Sequence, residues 1–489
     1  MEPSFKQLHI VSDLHIGGRH GYQIFNQSQE LSALIRYLEN ISAKNICLVL
    51  NGDIVDFLAE DPAAYLDPTG AVRKLERTFT DPAFEDVWQA LSAFVKKSSR
   101  TLVLILGNHD VELALPAVQE RLLLELCGGK SDARGRVRFV MDGSGFSCSV
   151  GERSVLCLHG NEVDDWNVID YAALLDMKRN INRRRNLPEW RPNAGTKLVI
   201  DVMNKIKKKY PFVDLLKPET KAVPAILVAL EPSLIGELRH FGPVAGRLIK
   251  DSIKRRLGFL SEEDEGGSMT SEDEDVTLRE LLGEGYDLPS PSDSLAIDEL
   301  LDRVEERFSQ GGSGEHGSEN GMELLGVTGV VVDRILHRSP AENLRESLGK
   351  WLGSDKTFEI NTKDKTFQRL DRAVGADVDY LIAGHTHLER SIPRDNGRGA
   401  YFNSGTWARL IRLPQDVLDS AGKFADVFKR LKKGNMEAID TPSGLVERRA
   451  TVVSIIDNGK KVFGELRHVS VNKNGKTSLI PIKGSKQEV

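Results

Sequence analysis

Apolar and polar residues follow two different periods in the first third of the chain. Continuous apolar runs predict buried strands, and these runs lie at 8–11, 46–50, 102–106 and 154–158. Between them, residues 28–43 and 83–97 carry apolar side chains at helical spacing. Because strands alternate with helices, we expect crossover connections and an α/β sheet.

The same ordered pattern returns near residue 367, where a helix over 367–376 leads into a strand over Tyr380–Ala383. Further short strands are predicted at 400–403, 450–456, 461–465 and 477–482. The interval before residue 367 is different, because helical periodicity there is repeatedly broken. The helical segments predicted in it are 168–185, 196–260, 293–308 and 322–353.

Two segments of this interval have a composition that disfavours folding. Residues 261–275 contain eight acidic and no basic side chains, and residues 310–321 are rich in glycine. Both compositions predict disorder. We therefore predict one catalytic domain, formed by residues 1–166 and 367–489 and interrupted by a mainly helical insertion over 167–366. Such an insertion is tolerated when its two ends lie close together.

The overall composition is that of an ordinary globular protein, with 40% apolar and 28% charged residues among 489. A formal net charge of −6 disfavours a nucleic-acid-binding protein as a whole. The four cysteines form no CxxC pair, which predicts free thiols in a reducing compartment. The first strand begins almost at the N-terminus and no apolar stretch reaches 18 residues, so we expect neither a leader nor a membrane span. The predicted location is cytoplasmic.

Five short polar blocks each follow an apolar run, where a buried strand is predicted to end. They are Asp13-Leu14-His15, Gly52-Asp53-Ile54-Val55-Asp56, Gly107-Asn108-His109-Asp110, His159-Gly160-Asn161 and Gly384-His385-Thr386-His387. Aspartate, asparagine and histidine are ligands for hard or borderline divalent metals. Loops at the carboxyl ends of strands are the usual place for ligands in α/β sheets. The blocks therefore predict a metal-dependent hydrolase, with phosphate esters as the expected substrate class.

In these blocks the chain resembles the calcineurin-like metallophosphoesterase superfamily, whose pattern is D-x-H, G-D-x-x-D, G-N-H-[DE], H and G-H-x-H. The resemblance covers residues 8–166 and 377–406. It implies a four-layer α/β/β/α sandwich, into which the helical insertion is placed. It also implies two divalent ions that share Asp53. One ion would take Asp13, His15, Asp53 and His387, and the other would take Asp53, Asn108, His159 and His385.

The same resemblance implies catalytic roles for two further residues. His109 would face the substrate and stabilise the phosphoryl transition state or protonate the leaving group, and Asp56 would orient it. Two divalent ions lower the pKa of a bridging water, so that hydroxide attacks phosphorus in line. Manganese is the first expectation for the ions, while iron and zinc also suit mixed oxygen and nitrogen ligands.

The blocks also narrow the choice of subfamily. Phe57 stands where phosphoprotein phosphatases of the superfamily carry arginine, which disfavours that branch. The segments GDIVDF, GNHDVEL and LHGNEVDD are similar to bacterial UDP-2,3-diacylglucosamine pyrophosphohydrolases, although those enzymes have H-G-D where this chain ends its block in Asn161. The expected reaction is hydrolysis of a phosphomonoester, phosphodiester or pyrophosphate bond. A nuclease of the same superfamily is one alternative, and a metal-bound scaffold that recruits a partner through the insertion is another.

The insertion carries the remaining clues about partners. Residues 222–258 are strongly apolar and end in basic residues, and Lys205 and Lys207 begin a second basic cluster. Apolar helices beside basic groups suit a lipid-like phosphorylated substrate or peripheral contact with an anionic membrane. A helical cap that packs on the core or a second subunit is the simpler hypothesis. We expect a phosphorylated small molecule or lipid-like substrate, with nucleic acid less favoured, and the oligomeric state is left open.

Several residues near the blocks are expected to be structural. His9 lies within the first strand, and Asp164 and Asp165 are expected to start a helix in preference to supporting the site. The segment Asn403-Ser404-Gly405-Thr406 is expected to support the site. Arg19 follows the first block, where contact with a phosphate and simple exposure to solvent are equally compatible with the sequence.

Overall fold

The computed structural model of the chain describes residues 2–217, 356–440 and 445–489. It also describes Ile226, Leu230 and six helical residues between positions 341 and 349. The described residues do not include the predicted acidic segment 261–275, the glycine-rich segment 310–321, the helix at 293–308 or the basic end of 222–258. Most of the helical segments predicted at 322–353 and, beyond residue 217, at 196–260 also lie outside them.

The chain divides into two compact units. The first comprises Met1–Pro192, Asp355–Ile411 and Asp440–Val489, and the second comprises Asn193–Ser354 and Arg412–Ile439. All five polar blocks belong to the first unit. The boundaries proposed from sequence for the insertion, at residues 167 and 366, stay predictions.

The strands fall into two large sheets and one short pair. In chain order they are β1 (Ser4–Phe5), β2 (Gln7–Val11), β3 (Ile46–Asn51), β4 (Arg100–Ile105), β5 (Val137–Val140), β6 (Phe146–Val150), β7 (Arg153–Cys157), β8 (Tyr380–Ala383), β9 (Glu389–Pro393), β10 (Ala400–Ser404), β11 (Leu410–Ile411), β12 (Val446–Glu447), β13 (Thr451–Asp457), β14 (Val462–Val471), β15 (Thr477–Pro481) and β16 (Gln487–Glu488).

One sheet has the order β1-β6-β7-β8-β10-β9, and the other has the order β15-β14-β13-β2-β3-β4-β5, with β16 paired to β14. Strands β2 to β5 are parallel, and so are β7, β8 and β10. The carboxyl ends of parallel strands lie at one edge of a sheet. Each sheet therefore presents a set of strand ends, followed by loops, at a single edge.

The described helices are α1 (Ser28–Asn40), α2 (Ala71–Thr80), α3 (Glu85–Lys96), α4 (Pro116–Cys127), α5 (Ser131–Arg134), α6 (Tyr171–Asn182), α7 (Ala194–Leu198), α8 (Asn204–Lys207), α9 (Lys365–Ala373), α10 (Gln415–Leu418), α11 (Ala421–Lys433) and α12 (Met436–Asp440). Short 3₁₀ turns occur at Phe57–Ala59, Val111–Ala114, Asn161–Val163 and Val213–Leu215, and a π-helical turn at Val199–Met203. Within the described part of the chain, every helix is too short or too polar to span a bilayer.

The first unit has four layers with an apolar cluster between each pair, because successive residues of a strand point to opposite faces of its sheet. In β2, Leu8 and Ile10 point into an apolar core between the two sheets, where Phe402 from the other sheet also lies. The next residue, Val11, packs on the opposite side with α1 and α3. On the outer face of the second sheet, Phe367 of α9 packs in a separate cluster. This helix–sheet–sheet–helix order confirms the predicted α/β/β/α fold.

Most of the predicted elements that surround the polar blocks are present, with small shifts at their ends. The four early strands and the helices at 28–43 and 83–97 correspond to β2, β3, β4, β7, α1 and α3. The strand predicted at 461–465 is longer, since β14 continues to Val471. Helices α2 and α4 were not predicted. All four cysteines are free and buried, as the absence of CxxC pairs indicated.

The core between the sheets sets the stability of this unit. Phe402 is fully buried there, and an added side-chain carbon at Gly464 would lie 2.7 Å from its ring, so the packing is tight. We expect Phe402→Ala to lower the free energy of unfolding by about 3–5 kcal/mol. Ile480→Ala is the matched control, because Ile480 is 53% exposed and should change stability by less than about 0.5 kcal/mol. Urea denaturation followed by tryptophan fluorescence measures both, and equal losses would contradict this packing.

Candidate metal centre

All five polar blocks lie at the carboxyl ends of strands. The first three follow β2, β3 and β4 of one sheet, and the last two follow β7 and β8 of the other. Hydrogen bonds connect the two sets of strand ends, since the Asn51 side chain donates to Leu158 O at 2.8 Å. The backbone NH of His385 donates to the Asp13 carboxylate at 3.0–3.1 Å. Residues far apart in sequence are thus brought to one place.

Five of the candidate ligands have left-handed backbone conformations. The φ angles are +53° for Asp13, +50° for His15, +51° for Asp53, +67° for His385 and +63° for His387. For residues other than glycine this conformation costs about 1–2 kcal/mol each. Backbone hydrogen bonds to the neighbouring block offset this cost, as in His15 N to Asp53 O at 2.9 Å. In these left-handed turns Asp13 and His15 enter one ligand cluster, whereas His385 and His387 enter different clusters. The sequence alone did not indicate these turns.

Asp13, His15 and His387 form the first ligand cluster, with one atom of each within 4.8 Å of the others. His15 Nε2 and His387 Nε2 are 3.1 Å apart, and His387 Nε2 is 3.3 Å from Asp13 Oδ1. Oxygen and imidazole nitrogen atoms that converge in this way suit a divalent metal ion.

The second cluster consists of Asp53, His159 and His385. His159 Nε2 lies 3.3 Å from Asp53 Oδ2, and the same oxygen is 3.9 Å from His15 Nε2 of the first cluster. Asp53 therefore lies between the two clusters.

Among the described residues, several buried polar atoms at these clusters lack hydrogen-bond partners, and His15 Nδ1 is one of them. Within the described residues, neither Asn108 Oδ1 nor His159 Nε2 makes a hydrogen bond. Buried polar atoms are nearly always satisfied, so an orphaned carbonyl oxygen and an orphaned imidazole nitrogen are what a metal ligand set requires.

The orientation of His159 is set by its other ring nitrogen. Its Nδ1 donates to Asn51 O at 2.7 Å, so Nε2 is the nitrogen that faces Asp53. Gly52 makes this possible, because an added Cβ there would lie 2.2 Å from His159 Nδ1. The glycine of the second block therefore provides the space that the histidine of the fourth block occupies.

The buried charges favour a cation at the centre. Burial alone would lower the pKa of His159, but the adjacent Asp53 carboxylate raises it to about 10. Burial alone would raise the pKa of Asp53, yet the surrounding histidines His159 and His109 lower it well below its usual range. The negative charge of the carboxylates thus attracts positive charge to this point, which a divalent ion can supply.

His109 and Asp56 form a pair next to the first cluster. His109 Nδ1 lies 3.2 Å from Asp56 Oδ1, and Asp56 Oδ2 is 3.7 Å from His15 Nδ1. His109 is 18% exposed, whereas Asp56 and His15 are almost fully buried. The more exposed ring can therefore face an incoming molecule while the buried carboxylate holds it from behind.

Residues 403–406 were expected to support the site, and they make several hydrogen bonds to the first and fifth blocks. Asn403 Nδ2 donates to Gly384 O at 2.6 Å, and Thr406 Oγ1 donates to Asp13 O at 2.8 Å. Ser404 Oγ is 2.7 Å from Ser12 Oγ, which in turn hydrogen-bonds the Asp13 carboxylate. This segment therefore holds both the first and the fifth block.

Asp110 ties the second block to the third. It accepts hydrogen bonds from Gly107 N and Ile54 N at 2.7 Å each. Burial, assisted by the charge of Asp53, raises the pKa of Asp110 to about 7.

Asp164 differs from the sequence-based expectation. The helix after the fourth block begins at Tyr171, and its N-cap is Asp170, whose carboxylate accepts from Ala173 N. The Asp164 carboxylate instead lies 2.7 Å from His385 Nε2. Burial opposes ionisation of Asp164, but the hydrogen bond from His385 lowers its pKa to about 2.

Two residues outside the clusters behave as structural or surface groups. His9 is buried, with Nδ1 3.0 Å from Ser454 Oγ, and burial lowers its pKa to about 3. Arg19 is exposed and its guanidinium lies 4.6 Å from the centre of the Tyr22 ring.

The family model described as calcineurin-like phosphoesterase matches residues 7–228 of the chain. Among curated proteins, none matches the chain. The matched range contains four of the five blocks, and the fold brings the fifth block, 384–387, to the same place. The chain therefore contains a calcineurin-like phosphoesterase domain, as predicted, and is a hydrolase that acts on phosphoester bonds. Proteins of this family use divalent metals, and the histidine and aspartate clusters of the chain can bind them.

The close approach of Gly52 to His159 gives a direct test of the site. Gly52→Ala should displace the His159 ring and weaken the binding of added Mn²⁺ about 10–100-fold, because the ring loses the contact that orients it. Gly21→Ala is the matched control. Gly21 has φ +83°, compared with +84° for Gly52, but nothing lies within 4 Å of its added Cβ. Calorimetric titration of the metal-free variants measures the effect, and equal affinities would contradict it.

Proposed function

We propose that the chain hydrolyses its phosphoester substrate at a dinuclear metal centre built from the five blocks. The observation that carries the proposal is the position of the Asp53 carboxylate between two clusters of ligands. Its Oδ2 lies 3.3 Å from His159 and 3.9 Å from His15, which belong to different clusters. A pair of ions needs a shared oxygen ligand of this kind.

Each ion would be held by one of the two clusters, with Asp53 shared between the ions and Asn108 added to the second cluster. One ion would be held by Asp13, His15, Asp53 and His387, and the other by Asp53, Asn108, His159 and His385. The orphaned Asn108 Oδ1 and His159 Nε2 support this assignment, because coordination would satisfy both. Mixed oxygen and nitrogen donors suit manganese first, and iron or zinc as well.

The residues of the chain perform the remaining chemistry. When bound, the two ions would supply hydroxide at neutral pH and neutralise charge on the phosphoryl oxygens. His109 stabilises the developing phosphoryl charge or gives a proton to the leaving oxygen. The Asp56 carboxylate lies 3.2 Å from His109 Nδ1 and would hold the ring in place. Because Asp56 also faces His15 Nδ1, one carboxylate aligns the proton donor with a metal ligand.

The substrate that fits the sequence best is a phosphorylated small molecule or lipid-like compound. The segments GDIVDF, GNHDVEL and LHGNEVDD favour a pyrophosphate bond of the kind cleaved by UDP-2,3-diacylglucosamine pyrophosphohydrolases. Asn161, which replaces the aspartate of those enzymes, is fully buried, and its Nδ2 donates to Asn167 O at 3.1 Å. In this chain the position therefore supports the turn between Asn161 and Asn167. Basic residues near 205–209 suit an anionic headgroup or a membrane surface.

The activity itself can be measured with chromogenic esters. The purified protein should hydrolyse bis(4-nitrophenyl) phosphate or 4-nitrophenyl phosphate when Mn²⁺ is added, and a chelator should abolish the turnover. His109→Ala should lower kcat by about 10²–10⁴-fold with little change in metal content, because it removes only the proton donor. His20→Ala, at an exposed histidine outside the blocks, should retain activity.

Three results would count against the proposal or redirect it. A lack of turnover on mono-, di- and pyrophosphate esters with metal bound would overturn it. Cleavage of DNA or RNA in preference to small esters would identify a nuclease of the same superfamily. If Asp53→Ala and His109→Ala both fold and leave the cellular role intact, the protein acts as a metal-bound scaffold.

A further inference from the structure

We propose that Asp164 is a positioning residue of the metal centre, which acts through His385. The inference depends on the proposed dinuclear site, because it concerns how one of its ligands is oriented. Asp164 Oδ2 lies 2.7 Å from His385 Nε2, a distance typical of a charge-assisted hydrogen bond.

This contact determines which ring nitrogen of His385 could bind a metal ion. Since Nε2 is engaged by the carboxylate, Nδ1 is the nitrogen left to join Asp53 and His159. A carboxylate that accepts from one ring nitrogen selects the tautomer and makes the other nitrogen a stronger donor to metal. Asp164 would therefore fix both the orientation and the basicity of His385.

The carboxylate of Asp164 is itself held on both of its oxygens. Trp166 N donates to Oδ1 at 3.0 Å, and Asn167 Nδ2 donates to Oδ2 at 2.7 Å. Such contacts leave the carboxylate little freedom to rotate. They therefore fix the direction in which the carboxylate faces His385.

The loop that carries Asp164 is fastened to the element that precedes His385. Arg369 of α9 donates to Val163 O at 2.8 Å and to Asp165 Oδ2 at 2.9 Å. Helix α9 leads into β8, and His385 follows this strand. The two partners of the hydrogen bond therefore belong to segments that are already connected, which fixes their separation.

His385 needs this support more than His159 does. The His159 side chain is completely buried, and its ring is oriented by the Asn51 carbonyl. The His385 side chain is 11% exposed and lies at a left-handed residue of the fifth block. With less packing around it, the ring depends on a specific hydrogen bond to stay aimed at the centre.

Metal titration of the full chain tests the proposal. Calorimetry of Mn²⁺ binding to the metal-free protein should show one of two ions weakened about 10–100-fold in Asp164→Asn, while the other ion is unaffected. The metal-free variant should stay folded with a modestly lower melting temperature, because the amide keeps the size of the side chain but loses an accepting oxygen. Asp165→Asn is the matched control in the same loop: it alters the Arg369 pair instead of the His385 contact and should keep both affinities within about twofold.

A second measurement uses the unaltered protein. With Zn²⁺ bound, nitrogen-15 NMR of the histidine rings, with His385 assigned by His385→Gln, should show a proton on Nε2 and none on Nδ1. A proton on Nδ1 would overturn the proposal even if Asp164→Asn does not fold, as would unchanged affinities in a folded Asp164→Asn. If the unaltered protein binds no metal at all, the proposed function fails instead, so the two failures are distinguishable.

Discussion

The buried carboxylate of Asp53 constrains how the five polar blocks at the carboxyl ends of the strands can be arranged. Its Oδ1 accepts the backbone NH of His109 at 2.8 Å, while its Oδ2 faces histidines from both clusters. A side-chain carbon at Gly107 would lie 2.2 Å from Oδ1, so the third block can approach only as glycine. Buried charge of this density is stable only with compensating positive charge, which the histidines supply here and metal ions would supply in the active enzyme.

The strand ends give this constraint its geometry. Parallel strands in both sheets end at the same edge, and the first residues beyond them adopt left-handed conformations that turn the side chains inward. The strain in these turns is compensated by hydrogen bonds between blocks, such as Asp13 N to Gly52 O at 3.1 Å. Strained backbone that persists at a cluster of polar residues is typical of functional sites, where the surrounding fold over-determines it.

The histidine rings of the site are oriented by oxygen atoms of neighbouring residues. Asn51 orients His159, Asp56 orients His109, and Asp164 contacts His385. In each pair an oxygen engages one ring nitrogen, which is Nδ1 in His159 and His109 and Nε2 in His385. The chemistry proposed for the site therefore depends on tautomers that the fold selects, as well as on which residues are present.

The strands and the ligand types could be predicted because they depend on local signals. Apolar runs marked β2, β3, β4 and β7, and the five blocks identified a calcineurin-like phosphoesterase domain that the family match confirms over residues 7–228. Helix α4 was missed because its apolar and polar residues are only weakly segregated at helical spacing, whereas α2 was missed although its pattern is strongly amphipathic. The role of Asp164 was misjudged for another reason: its partner lies 221 residues away, and a nearby helix start was the simpler local explanation.

The sequence by itself determined the ligand types and their positions at predicted strand ends, because apolar runs and the aspartate, asparagine and histidine residues that follow them are local signals. Only the tertiary structure decided how these residues meet. It placed Asp53 between two clusters, set the left-handed turns, and paired His385 with Asp164. The distances between these side chains depend on how the two sheets and their loops pack together. Short stretches of sequence carry no signal for contacts between segments that are far apart along the chain.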